Sequence, residues 1–352
     1  MTLKLATVFS GIGAIEHALV RMKIDHEIIF ASDIDKFVKQ SYFANYNIDK
    51  ARWYDDVYKI DGTKYSNKVD LFVGGSPCQS FSLVGKQKGF GDNRGLLVYE
   101  FIRLIREIKP KTFIFENVKG LLSNNKGKTW SVLKDEFINL GYHIHFKVIN
   151  ARDCGIPQNR ERLFVVGFLE ARDFKFPEPI PLNITMQNLL EDIADAKYFL
   201  PEKGVKFVMM EKNLKKRYTQ IDGKIAVCQK ANQQFNWHGD FVTEDMDKYY
   251  LSEKIQKYVL SEGTKNFKTK PKTDLTVARP LLSTMAKMHR AGVDNYITRG
   301  KRLRKLTPRE CLRLMGFSDN FRITVSDTQM YKQAGNSIVV DVLINLLKEI
   351  YM

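Results

Sequence analysis

At 352 residues the chain can hold one large domain and one smaller one, and 44% hydrophobic content allows a sizeable core. No apolar run approaches the roughly 18 residues of a membrane span. The opening Met1–Phe9 lacks the apolar centre of a signal peptide. Four cysteines without a Cys-x-x-Cys pair, and six histidines without ligand spacing, predict a reduced cytoplasmic protein with no metal site. The net charge of +16 favours a polyanionic partner.

Leu3–Phe9 reads as a buried strand, followed by Ser10-Gly11-Ile12-Gly13 and a helix from about Ala14 to Met22. A strand, a glycine turn and a helix start make a cofactor cradle. Glu16 occupies the third glycine position of the dinucleotide fingerprint and would repel a pyrophosphate. That disfavours NAD and suits S-adenosyl-L-methionine, whose amino acid end carries an ammonium group. Glu27–Ser32 is a second strand ending in Asp33, placed to accept from ribose hydroxyls. A helix over Lys36–Asn45 precedes Asp55-Asp56-Val57, which is suited to an adenine amino group.

Val69–Val73 reads as a short strand, and Gly74-Gly75-Ser76-Pro77-Cys78-Gln79-Ser80-Phe81-Ser82 follows it. The glycines turn the chain and Pro77 fixes φ, so Cys78 is displayed at a strand end as a nucleophile. Gly85–Gly95, with four glycines and basic residues, reads as a loop able to close over a ligand. Gly95–Lys109 is an amphipathic helix and Thr112–Phe115 a strand, with Glu116-Asn117-Val118 at its carboxyl end. A carboxylate there is costly to bury and often functional. A helix (about Thr129–Leu140) and a strand (Tyr142–Ile149) lead to Gln158-Asn159-Arg160-Glu161-Arg162. Arg160 and Arg162, two apart before the strand Leu163–Phe168, share a face that suits an anion or a carbonyl oxygen.

Three prolines at Pro177–Pro181 read as a linker. Regular alternation then stops until about Leu275, which predicts a smaller, irregular, β-rich domain. Lys270–Arg322 holds thirteen Lys or Arg against four acidic residues, as a phosphate-binding surface would. Thr307, Pro308, Glu310 and Gly316 bound a short helix. Gln333-Ala334-Gly335-Asn336-Ser337 reads as a glycine loop opening a final helix, Ile338–Ile350.

In order, Phe9-Ser10-Gly11-Ile12-Gly13, Pro77-Cys78-Gln79, Glu116-Asn117-Val118, Gln158-x-Arg160-x-Arg162, the Arg309-Glu310-Cys311 region and Gly335-Asn336-Ser337 resemble the bacterial cytosine-C5 DNA methyltransferases of restriction-modification type. The resemblance implies an α/β, doubly wound Rossmann-like methyltransferase domain (1–180 plus 325–352) and a smaller β-rich target-recognition domain with a basic hinge (181–324). It implies methyl transfer from S-adenosyl-L-methionine to C5 of a cytosine flipped out of double-stranded DNA. The chain would act as a monomer, with a cognate restriction endonuclease acting separately. Cys78 would attack C6, Glu116 would bond N3 and the exocyclic amine, and Arg162 would hold O2, with Arg160 reaching phosphate or sugar. Phe9, Ser10, Gly11, Gly13, Asp33, Ile34, Asp56, Val57, Gly75, Pro77, Asn336 and Ser337 would hold the cofactor. Ser82, Lys86, Arg94, Gln158, Arg299, Arg302 and Arg304 would touch DNA. Where many members place Glu and an aromatic, this chain has Asp33 and Ile34, which keeps the ribose acceptor and weakens adenine stacking. A branch of the family modifies transfer RNA, the alternative substrate; the long recognition region argues for duplex DNA.

Overall fold

Strand β1 (Leu3–Val8) buries Leu5, Ala6 and Val8 completely, and the other strands are laid out on either side of it. The computed structural model describes residues 2–76, 97–192, 194–216, 218–231, 237–244, 257–258, 261, 263–264, 267–268 and 302–352. Among these, β1, β2 (His26–Ser32), β3 (Trp53–Tyr54), β4 (Leu71–Gly74), β5 (Thr112–Val118), β6 (His143–Asn150) and β7 (Glu161–Phe168) form one sheet in the order β3-β2-β1-β4-β5-β7-β6. The strands from β3 to β5 pair in parallel, while β7 runs antiparallel to both β5 and β6. The sheet is therefore mixed. Its central strands β4 and β5 still read as near-continuous apolar runs, because helices cover both faces.

Alternate side chains along each strand divide between two cores. Leu5, Leu71, Val73, Ile114 and Val166 pack with helices α1 (Ala14–Arg21) and α9 (Val340–Tyr351). Ala6, Val8, Phe72, Phe113, Phe115 and Val165 pack with α3 (Leu97–Ile108) and α4 (Lys128–Asn139). Phe101 of α3 stacks on Phe72 with ring centroids 4.8 Å apart. Helix α2 (Lys36–Asn45), capped by Asp35, covers the β2–β3 edge through Val38 and Tyr42.

Between residues 181 and 324 the described parts include two short helices, α5 (Glu202–Val208) and α6 (Glu211–Lys215). A small sheet there has the order β12-β9-β8, from β8 (Thr219–Ile221), β9 (Gly239–Glu244) and β12 (Arg302–Lys305). β10 (Gly263–Thr264) and β11 (Phe267–Lys268) form a separate short ladder. The large core reaches into this stretch: Met186, Tyr198, Ala226, Leu306 and Leu312 pack with residues of α1 and α9. Helix α7 (Pro308–Leu314) has the predicted cap, with Thr307 Oγ1 accepting from Glu310 N at 3.2 Å and the Glu310 carboxylate accepting from Thr307 N at 2.7 Å. One predicted element differs. Gln333–Asn336 is not a loop but the last turns of helix α8 (Asp327–Asn336), and the final helix starts only at Val340.

Candidate active site

The glycine turn after β1 is a chain of left-handed residues, with φ of 53° at Phe9, 54° at Gly11 and 77° at Gly13. Glycine is needed at position 13 twice over. Its φ is positive, and a Cβ there would lie 2.2 Å from the Tyr46 ring, whose hydroxyl donates to Gly13 O at 2.7 Å. Ser10 is fastened to β2 in both directions: its N–H donates to Ser32 O at 3.0 Å, and its Oγ accepts from Ser32 N at 3.0 Å. Asp33 accepts from Gly11 N and from Asp35 N, both at 3.0 Å. Burial nevertheless pushes the Asp33 carboxyl above its ordinary range, the two backbone donors offsetting part of that rise.

This turn forms one wall of a cleft. Thr7, Phe9, Ser10 and Gly11 line it from the turn, Val73, Gly74 and Gly75 from β4, Glu116 from β5, and Asn336 and Ser337 from the end of α8. Residues some 330 apart in sequence thus meet at the carboxyl ends of the central strands, where open α/β sheets bind ligands. Among the described residues, a Cβ on Gly11 would meet nothing within 4 Å.

Beyond the cleft wall β5, β7 and the end of β4 converge. Glu116 pairs with Phe164 and Val118 with Arg162, which sets Glu116 and Arg162 diagonally on one face. Arg162 Nε lies 3.1 Å from Glu116 Oε1, and both side chains are largely buried. Burial raises the Glu116 carboxyl above its ordinary range, and Arg162 and then Arg160 pull it partly back. Gly75 lies directly against this carboxyl: a Cβ there would be 2.9 Å from Glu116 Oε2. The neighbouring Asn117 donates from Nδ2 to Ser76 O at 3.0 Å, tying the end of β4 to β5. Pro77, Cys78, Ser82, Lys86, Arg94 and Arg299 lie outside the described residues.

Three predicted placements need correction. Arg160 does not reach outward to phosphate or sugar. It is 4% exposed, and its guanidinium donates to Gln229 O at 3.0 Å, Gly335 O at 3.1 Å and Ser337 O at 2.9 Å. It is a clamp, because a planar fork satisfies several carbonyls at once. Gln158 is fully buried and does not face DNA. Its Nε2 donates to Leu314 O at 2.8 Å and its Oε1 accepts from Gln229 N at 3.1 Å. Glu16 does not face a ligand either: it is fully buried and accepts from the Tyr42 and Thr7 hydroxyls. Asp56 caps its own turn by accepting from Tyr58 N, and Val57 is a core side chain. Gly13, Asp33 and Ile34 adjoin the cleft lining: Asp33 holds the lining residue Gly11, and Ile34 is 85% exposed. Arg302 and Arg304 sit on β12 opposite Glu244 and Val242. Cys228 carries no local motif that marks it, yet its Sγ lies 3.7 Å from Arg160 Nη1 and 3.9 Å from Arg162 Nη2.

The profile of the C-5 cytosine-specific DNA methylases matches residues 3–352. The chain is 31% identical to the orphan methyltransferase M.SPRI of Bacillus phage SPR, over 99% of this chain and 97% of that protein. It is also 31% identical to the type II methyltransferase M.HhaI of Haemophilus parahaemolyticus, over 97% of this chain and 92% of the other. Among solved structures, S. pombe Dnmt2 methyltransferase superposes with a TM-score of 0.70 at 18% identity, covering 99% of this chain and 100% of that one, which shows the shared fold. A glycine-turn cleft, a buried Glu–Arg pair beside it and a profile match from end to end agree: the chain belongs to the family of C-5 cytosine-specific DNA methylases.

Proposed function

We propose that this chain transfers a methyl group from S-adenosyl-L-methionine to C5 of a cytosine flipped out of a specific short duplex DNA sequence, as the modification enzyme of a restriction-modification system. The observation that carries the reading is the Glu116–Arg162 pair, packed against Gly75 three residues before Cys78. The named relatives at 31% identity support it, one of them being a type II methyltransferase. Residues 181–324 are the proposed recognition region, with their basic segment against phosphate.

The cleft suits S-adenosyl-L-methionine in its mixed lining, with apolar Val8, Phe9 and Ile338 beside polar Ser10, Asn336 and Ser337. Phe9, Gly11, Asn336 and Ser337 would hold it, with Asp33 and Ile34 at the adjoining turn. When bound, it supplies an electrophilic methyl group. The chain's own residues supply the rest. The Cys78 thiolate adds to C6 of the cytosine, and negative charge moves toward N3 and O2. Glu116, its proton held by burial, donates to N3. Arg162 holds O2 and keeps the ring in register with both groups. Loss of the C5 proton, through water, then expels the Cys78 sulfur.

The test is bisulfite sequencing of unmethylated plasmid DNA after incubation with the protein and S-adenosyl-L-methionine. Protected cytosines in one short sequence context are expected, and none with Cys78→Ala. Protection with Cys78→Ala would overturn the nucleophile. No protection of DNA, with methylation of transfer RNA instead, would overturn the substrate.

A further inference from the structure

Residues 224–229 run as a strap between the small sheet and the loop before β7. On one side Ala226 N donates to Pro157 O at 2.7 Å and Asn159 N donates to Ala226 O at 2.8 Å. On the other side Asp240 of β9, 1% exposed, takes Val227 N on both carboxylate oxygens at 3.0 and 3.2 Å. Gln220 of β8 completes the grip, donating from Nε2 to Asp240 at 2.8 Å. The strap is therefore fixed to the small sheet by a buried carboxylate and to the loop leading into β7 by backbone bonds. Cys228, the residue after these two anchors, puts its Sγ against both Arg160 and Arg162. Arg162 is otherwise restrained by Glu116 and by Glu161 O, to which its Nη1 donates at 2.8 Å.

We propose that Cys228 is a positioning residue: its sulfur holds the Arg162 guanidinium in line with Glu116, and through it the small sheet acts on the catalytic pair. The chemistry is that of a weak, polarisable acceptor facing two cations. A guanidinium with one bonded edge and one carboxylate contact still has freedom to swing, and the sulfur removes it. The strap moves with β9 because Asp240 binds Val227, one residue away. Any shift of the small sheet on DNA is thus delivered to Arg162 within one residue of chain. This inference rests on the methyltransferase reading above.

The test compares Cys228→Val, which fills the site without an acceptor, with Cys228→Ser, which keeps one. For Cys228→Val we expect kcat about fivefold to tenfold lower at saturating DNA, with DNA affinity and melting temperature near wild type. Loosening Arg162 also removes part of what pulls the Glu116 carboxyl down, so the high-pH limb of the kcat profile should move to higher pH. Cys228→Ser should recover most of both effects. An unchanged kcat in Cys228→Val would overturn the proposal. So would a loss of kcat matched by an equal loss of melting temperature and DNA affinity, with no movement of the limb, since that marks a merely structural side chain. A wild-type protein that methylates no cytosine would instead overturn the reading beneath it, and the proposal with it.

Discussion

Gly75 and Glu116 are in such close contact that a single added carbon on Gly75 would lie 2.9 Å from Glu116 Oε2 and 3.1 Å from Glu116 O. The carboxyl could rotate away, but the carbonyl belongs to β5 and cannot. Gly75→Ala should therefore displace Glu116 relative to Arg162. A misplacement of about 1 Å can cost about 100-fold in rate, so a loss of kcat of up to that size is expected. Because the strain is local, the melting temperature should fall by only a few degrees. Steady-state methylation and a thermal melt on the same preparation check this, and near-normal kcat would mean that Glu116 tolerates displacement.

Arg160 joins three segments: Gln229 in the strap, and Gly335 and Ser337 at the end of α8. Lysine in its place offers one compact ammonium where three carbonyls need donors. Arg160→Lys should cost about 2–4 kcal/mol of stability, since the abandoned carbonyls are buried. It should also weaken S-adenosyl-L-methionine binding, because Asn336 and Ser337 line the cleft. Urea unfolding and calorimetric titration would show both losses. A midpoint equal to wild type would rule out the clamp.

Some of this could be read along the chain and some could not, and the difference is physical. Glu116 was legible because an apolar strand running into a carboxylate is unusual wherever it occurs. The sheet strands were legible for the same local reason, since Leu3–Val8 and Leu163–Phe168 are apolar runs. The role of Arg160 was not, because its partners are backbone carbonyls some 70 to 180 residues away and carry no sequence signature. Gly335 misled in the opposite direction. It reads as a turn glycine, yet it lies within α8, and a Cβ there would be 2.5 Å from Ala231 N. Its smallness serves packing against the strap's continuation. Glu16 sits in the first turn of α1, where an acid ordinarily faces outward, but here that turn packs on α2 and the carboxyl meets Tyr42.

The raised Glu116 carboxyl predicts a pH dependence. Its protonated form persists to higher pH than an ordinary glutamate's, and that form donates to N3. The wild-type rate should hold at lower pH and decline as pH rises through the raised value. Glu116→Gln cannot ionise. It should lose about 100-fold to 10,000-fold in kcat and lose this limb as well, the size expected of a general acid. A kcat–pH series for both proteins decides the matter, and a limb that survives in Glu116→Gln belongs to another group.

Glu16 predicts a pH dependence of stability. Burial moves its carboxyl from 4.5 to about 7, against the bonds from Tyr42 and Thr7, and its Oε2 has no partner among the described residues. Between those two values the folded protein keeps a proton that the unfolded chain releases. The stabilisation is therefore complete below pH 4.5 and is lost as pH rises through 7. Asp240, also raised by burial to about 7, adds a slope of the same sign. Glu16→Gln keeps an acceptor for both hydroxyls and cannot ionise. It should be less stable than wild type, or equal to it, at pH 5 and gain on it by up to about 3 kcal/mol at pH 8. The residual slope in the variant then belongs to the other carboxyls raised by burial, Asp240, Asp33 and Glu116 among them. Urea midpoints at the two pH values measure the difference directly. Parallel slopes for the two proteins would mean that Glu16 is ionised in the folded state and that Tyr42 and Thr7 outweigh its burial.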